Sequence, residues 1–173
     1  MLLNLSRIRV PHTAVEEVYA PELFLTADDV YRVVEAVKLR MDIQKTGERF
    51  RLSGGVSTVL QLACSRCLEP FPSPIDASFD LVYHPQTLNA GEGEREVEEE
   101  DLATAFYHNN EIDLGQLMRE QFYLALPMKP LCAEDCQGLC PNCGTNLNRG
   151  ACDCRREWED PRLAVLKTLK RDS

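Results

Sequence analysis

The chain has 173 residues, of which 44% are hydrophobic and 27% charged, and a net charge of −9. This composition excludes a disordered or fibrous protein and leaves room for one domain with a sizeable core, or for about 100 to 130 residues plus a small appendage, but not for two large domains. The charge is uneven, with 11 basic and 21 acidic groups in residues 1–128 against 8 and 7 in residues 129–173, so the acidic front repels a phosphate backbone at long range and any RNA contact has to be local.

Residues 1–11 contain Arg7 and Arg9 among short apolar groups and no apolar run of the length a signal peptide or membrane span requires. The expectation is a cytoplasmic protein with no membrane partner. Three segments then show the period of two of a half-buried strand: Val33, Val37, Leu39, Met41 and Ile43; Val56, Leu60, Leu62 and Cys64; Ile75, Ala77, Phe79, Leu81 and Tyr83. Their other faces carry Lys38, Arg40, Asp42, Gln61, Asp76 and Asp80. Gly47 and the Gly54–Gly55 pair are expected between the first two strands, and the stretch from Pro70 to Pro74 before the third, as in successive strands of an antiparallel sheet. From Thr87 to Asp101 the chain is rich in glutamate, with Val97 as its central apolar residue, and reads as a solvated loop. Asp113 is placed to cap a helix whose Leu114, Leu117, Met118, Phe122 and Ala125 recur near helical spacing until Pro127. A last helix is expected from Asp160–Pro161 through Leu163, Leu166 and Leu169.

The pattern predicts an α+β protein. A twisted antiparallel sheet or open barrel over residues 1–110 precedes a helix, a cysteine-rich zinc ribbon and a closing helix. The expected division is a mainly β domain, 1–126, with the helix at its end, and a zinc-binding tail, 127–173.

Eight cysteines carry the chemistry, in the pairs Cys64/Cys67, Cys132/Cys136, Cys140/Cys143 and Cys152/Cys154. In a reducing compartment such pairs point to metal before disulfides. Zinc takes four thiolates in a tetrahedron, and two cysteines separated by two residues around a tight turn supply two corners at once. Between Cys143 and Cys152, Asn146, Asn148 and Gly150 allow a hairpin, so Cys140, Cys143, Cys152 and Cys154 form an easy local site. Only three residues separate Cys136 from Cys140, so Cys132 and Cys136 need another partner. Cys64 and Cys67 can provide it, closing a long loop. Two zinc ions and one zinc ion with the other cysteines reduced both remain open. Secreted disulfides, a radical-enzyme iron–sulfur spacing over Cys136, Cys140 and Cys143, and a thioredoxin-like Cys64/Cys67 are weaker readings; the last needs a helix where Pro70, Pro72 and Pro74 follow.

His12, His84 and His108 are scattered, with no nucleophile motif beside them, and no catalytic constellation emerges. Arg149, Arg155, Arg156, Arg162, Lys167, Lys170 and Arg171, with Trp158, offer a local surface for RNA, diluted by Glu157, Glu159 and Asp160. A solvated basic helix with Trp158 packed inward accounts for the same residues.

Four stretches together resemble the bacterial YceD family: Cys64-Ser-Arg-Cys67-Leu-Glu-Pro-Phe, Ala125-Leu-Pro-Met-Lys-Pro-Leu-Cys132, Gly138-Leu-Cys-Pro-Asn-Cys-Gly-Thr-Asn-Leu147 and Asp160-Pro-Arg-Leu-Ala-Val-Leu-Lys167. The resemblance implies a non-enzymatic role in the accumulation or assembly of large-subunit ribosomal RNA, close in function to a zinc-ribbon protein of the large subunit. It supplies no catalytic residue and no small-molecule substrate. Expected partners are large-subunit rRNA or a basic ribosomal protein, whose charge the acidic front would complement.

Overall fold

A computed structural model describes residues 1–25, 30–86 and 104–154. The expected acidic loop, 87–101, and the closing helix from Asp160 lie outside the described residues. The chain divides into two compact units: Met1–Leu62 with Phe71–Pro130, and Ala63–Pro70 with the chain from Leu131 onward.

The first unit is mostly sheet. Its strands are β1 (Leu2–Asn4), β2 (His12–Tyr19), β3 (Arg32–Val33), β4 (Val37–Thr46), β5 (Arg49–Ala63), β6 (Pro70–Pro85), β7 (Thr104–Tyr107) and β8 (Glu111–Asp113), followed by α1 (Leu114–Ala125). Strands β1 and β8 pair as a separate antiparallel ribbon, and the main sheet runs β2-β4-β5-β6-β7 with β3 against β5.

Strand β4 shows why the period of two is informative. Val37, Leu39, Met41 and Ile43 are buried while Lys38, Arg40, Asp42 and Gln44 are exposed, so one face enters the core and the other meets water. Its turn into β5 is the two-residue Gly47–Glu48 loop, with Thr46 opposite Arg49.

Four expectations are corrected. Val33 and Val37 belong to different strands, each pairing β5, because the chain breaks at Val34–Ala36, where the Val34 amide donates to the Val59 carbonyl and the Thr58 hydroxyl to that of Glu35. Gly54 and Gly55 lie inside β5 instead of before it. A Cβ on Gly54 would collide with the Arg40 carbonyl and come within 2.6 Å of Met41 Cα, so the glycine marks a close approach of β4 and not a turn.

The proline stretch opens β6 instead of preceding it. Residues two apart in a strand direct their nitrogens to the same side, and β7 pairs only with Val82–Pro85. Pro70, Pro72 and Pro74 can therefore all face the side on which no ladder donor is needed.

Finally, the sheet is mixed and not purely antiparallel, because β6 and β7 are parallel. Parallel neighbours need a long connection, and residues 86–103 supply it.

Asp113 caps α1 as expected, its carboxylate accepting from the Gly115 and Gln116 amides at 2.8 and 3.3 Å. Leu126, which precedes Pro127, is extended and ends the helix. Leu114, Leu117, Met118 and Phe122 join the core formed by Leu39, Ile43, Leu52, Val56 and Leu60. The Phe122 ring meets Phe24 and Tyr31 edge-on at 5.6 and 5.9 Å. Among the described residues no helix is long and apolar enough to cross a membrane.

Candidate metal centres

All eight cysteines fall in the second unit, and the structure sorts them into two sets of four. Cys64, Cys67, Cys132 and Cys136 form one set, and Cys140, Cys143, Cys152 and Cys154 the other. Within each set every sulfur lies within 4.8 Å of the other three. Each set could hold a metal ion.

The first set begins where β5 ends. The Cys64 amide donates to the Glu69 carbonyl and the Leu68 amide to the Cys64 carbonyl, both at 2.9 Å, curling the backbone around the sulfurs. Leu68 accepts a left-handed φ of 61° to complete the turn. The Arg66 amide points at Cys64 Sγ, 3.5 Å away. Arg66 also fastens this turn to the second stretch: its guanidinium donates to the Glu134 and Cys136 carbonyls at 3.1 and 2.9 Å, and its own carbonyl accepts from Leu139 at 3.1 Å. Gly138 lies directly against it with φ +73°, where a Cβ would sit 3.0 Å from the Arg66 carbonyl. Only glycine meets both conditions without strain.

The resulting sulfur separations are 3.8 Å for Cys64–Cys136 and 3.7 Å for Cys67–Cys132. A disulfide would require about 2.05 Å. Cys64, Cys67 and Cys136 are buried and Cys132 faces outward.

The second set repeats the turn. The Gly144 amide donates to the Cys140 carbonyl at 2.9 Å and the Cys140 amide to the Thr145 carbonyl at 2.8 Å. The Thr145 hydroxyl lies 3.1 Å from Cys143 Sγ. A bridge between Leu139 and Asn146 and the Leu147 amide donating to the Gly138 carbonyl at 2.9 Å close the chain around the Cys140–Cys143 turn. Between Cys143 and Cys152, where the spacing allows a hairpin, the Arg149 amide donates to the Asn146 carbonyl at 3.1 Å in a turn.

Thiol acidities differ sharply within each set. Backbone amides of Cys67 and Cys132 hold Cys64 down to about 6, and the Thr145 hydroxyl does the same for Cys143. Burial and proton sharing with Cys136 and Cys67 push Cys132 up to about 12, and a shared proton with Cys143, then burial, push Cys154 up equally far. Four sulfurs this close cannot all ionise without a cation, so the first thiolate to form makes its neighbours hold their protons. A divalent ion removes that penalty.

The other expected residues are more dispersed. His12 lies on β2, His84 on β6 with Phe106 6.5 Å away, and His108 before the turn to Glu111. Among the described residues, the groupings able to hold a metal contain only cysteine. Arg149 pairs with Glu69 at 3.0 Å; Arg155, Arg156, Trp158, Arg162, Lys167, Lys170 and Arg171 lie outside the described residues. The sequence reading missed Arg66 and Gly138 as supports for the sulfurs. A glycine two residues after Cys136 was a usable signal, but Arg66 becomes legible only once the two stretches are seen together.

A family model described as large ribosomal RNA subunit accumulation protein YceD matches residues 52–170, a span that contains all eight cysteines. The chain is 30% identical over 155 residues to a chloroplastic large ribosomal RNA subunit accumulation protein YCED homolog 1 of Arabidopsis thaliana, covering 78% of this chain and 48% of that protein. It is 28% identical over 162 residues to an uncharacterized protein of Bacillus subtilis, covering 91% and 87%. An uncharacterized protein of Mycobacterium tuberculosis is 30% identical over 129 residues, covering 74% and 59%. The chain spans about half the length of the plant relatives it matches. No solved structure matches it. With well over half of its length matched, including both sets of cysteines, the chain belongs to the YceD family.

Proposed function

We propose that this protein is a non-enzymatic ribosome-biogenesis factor supporting the accumulation or assembly of large-subunit ribosomal RNA, with a tail, residues 127–173, ordered by two structural zinc ions. The observation that carries the reading is the pair of four-cysteine sets inside the segment matched by a family named for large-subunit rRNA accumulation. All eight cysteines, Cys64, Cys67, Cys132, Cys136, Cys140, Cys143, Cys152 and Cys154, would then be ligands.

Zinc is favoured by the spacing. Zinc–sulfur bonds of about 2.3 Å in a tetrahedron give sulfur–sulfur edges of about 3.8 Å, and the first set shows 3.8 and 3.7 Å. A four-iron cluster would hold its cysteine sulfurs further apart than these sets do. Four thiolate ligands and no histidine leave no open coordination position, as in structural sites. The role is therefore to fix backbone, with Cys64 and Cys67 brought to Cys132 and Cys136 across a long stretch of sequence. The thiolates require a reducing compartment, which agrees with the cytoplasmic expectation.

The partner is large-subunit rRNA or a basic ribosomal protein. The acidic balance of residues 1–128 favours the protein, which it would attract as a counter-charge. The basic residues after the last cysteine pair favour a local RNA contact. A zinc-dependent interaction module unconnected with ribosomes is the competing reading.

Depletion of the protein in cells is expected to lower the ratio of large- to small-subunit rRNA, with rescue by wild type but not by Cys140→Ser. Crosslinking in the same cells identifies the partner. An unchanged ratio on full depletion overturns the ribosomal role, and a coloured preparation containing iron in place of zinc overturns the metal assignment.

A further inference from the structure

The two sets of cysteines are separate in their ligands but not in their surroundings. Cys136 is 4% exposed, and its sulfur accepts a hydrogen bond of 3.3 Å from the side-chain amide of Asn148. Asn148 belongs to neither stretch of the first set. It stands in the loop between Cys143 and Cys152, which the second set closes at both ends.

Every polar group of this side chain is committed. The Gln137 backbone amide donates to Asn148 Oδ1 at 2.7 Å. A backbone amide can only donate, so the oxygen must face Gln137 and the nitrogen must face the sulfur. The two hydrogens on Nδ2 go to Cys136 Sγ and to Asn146 Oδ1, the latter at 2.9 Å. Asn146 is fixed in turn: its Oδ1 also accepts from the Asn148 backbone amide at 3.0 Å, and its Nδ2 donates to Glu69, which follows Cys67, at 3.4 Å. Glu69 receives Arg149 on its other oxygen. Four polar contacts, made by residues 146, 148 and 149, thus run between the loop of one set and the stretches of the other.

We propose that Asn148 couples the two metal centres, acting as the outer-sphere positioning residue of the Cys64/Cys67/Cys132/Cys136 centre while being held in place by metal at the Cys140/Cys143/Cys152/Cys154 centre. This inference rests on the two-zinc reading above. Four thiolates around one dication carry a net charge of −2, and an N–H donor on one sulfur spreads that charge and fixes the ligand's orientation. Metal at the second centre fixes the ends of the 143–152 loop and so keeps the donor aimed. Loss of that metal frees the loop, removes the donor and weakens the first centre. Coupling of this kind is reciprocal, so metal at the first centre tightens the second by the same factor.

The test uses the full chain loaded with cadmium, whose nuclear resonance gives one signal for each four-sulfur centre, with chelator-driven metal release followed in parallel. Wild type is expected to hold two ions and show two signals. Asn148→Ala should still hold two, with release from the first centre faster by on the order of tenfold to a hundredfold and one signal shifted. Asn148→Asp, which keeps the acceptor for Gln137 and loses the donor, should release faster still. Cys152→Ser, which disables the second centre directly, should speed release from the first centre by a similar factor without touching its ligands. Wild type with fewer than two ions overturns the two-centre reading and the coupling with it. Two ions with unchanged release from the first centre in Asn148→Ala, or unchanged release in Cys152→Ser should the first variant not fold, overturns the coupling alone.

Discussion

The two units of this chain are held together by different physics. In the first, Leu39, Ile43, Leu52, Leu60, Leu117 and Met118 are at most 1% exposed and pack in one core with the rings of Phe24 and Phe122, so burial of apolar surface supplies its cohesion. In the second, the buried apolar side chains among the described residues are those of Cys64, Cys67, Cys136 and Cys140. Leu139 and Leu147 are only half-buried and Leu68 is exposed. With so little to bury, the described residues of this unit do not close on hydrophobicity alone. What remains is a set of backbone turns that converge on sulfur. The contrast teaches that two folded regions of one chain can differ in what organises them, one around an apolar core and one around sulfurs that could hold metal.

Metal removal should separate them most sharply. With a strong chelator, amides of residues 63–70 and 131–154 are expected to lose nearly all hydrogen-exchange protection, because binding free energy in such centres is folding free energy. Those of β2 and β4 should keep theirs. Protection that survives chelation in Leu139, Cys140 and Gly144 would show that the turns stand without metal and break the contrast.

The same contrast explains what could be read from sequence. The faces of β4 and the stripe on α1 were legible because alternation and helical spacing are local signals that burial enforces residue by residue. The local cysteine set was legible for a related reason: Cys140, Cys143, Cys152 and Cys154 lie within 15 residues of chain. The parallel pairing of β6 with β7 was not, since it depends on where a long connection returns and not on the pattern in either strand. Gly54 read as a turn because a glycine in sequence does not reveal whether it bends the chain or admits a neighbour. The Arg66 contacts join residues about 70 apart, and no local pattern encodes them.

A change confined to the apolar unit should come next in size. Phe122→Ala removes a fully buried ring that touches Phe24 and Tyr31, and is expected to cost about 3–5 kcal/mol. Denaturant unfolding of β-sheet signal should shift by that amount while the metal content of the folded protein stays the same. Metal lost in proportion to the destabilisation would mean that the two units fold as one.

The smallest effect belongs to the cap of α1, and it carries a pH dependence of its own. Burial tends to raise the Asp113 carboxyl, but the Gly115 and Gln116 amides, together with the Met1 ammonium 3.5 Å away, outweigh it and hold the group below its ordinary value. A carboxylate lowered in the folded state contributes stability that is fully present above the unfolded value of about 3.9 and is lost as pH falls through the folded one. Asp113→Ala should therefore destabilise the sheet unit by roughly 1 kcal/mol at neutral pH, a figure at the modest end because the side chain is 46% exposed. The difference from wild type should shrink as pH falls through the lowered folded value, where the wild-type cap itself becomes protonated. Parallel unfolding curves at pH 7 and at low pH check this. A constant difference at both would show that the alanine acts through helix packing and not through the charged cap.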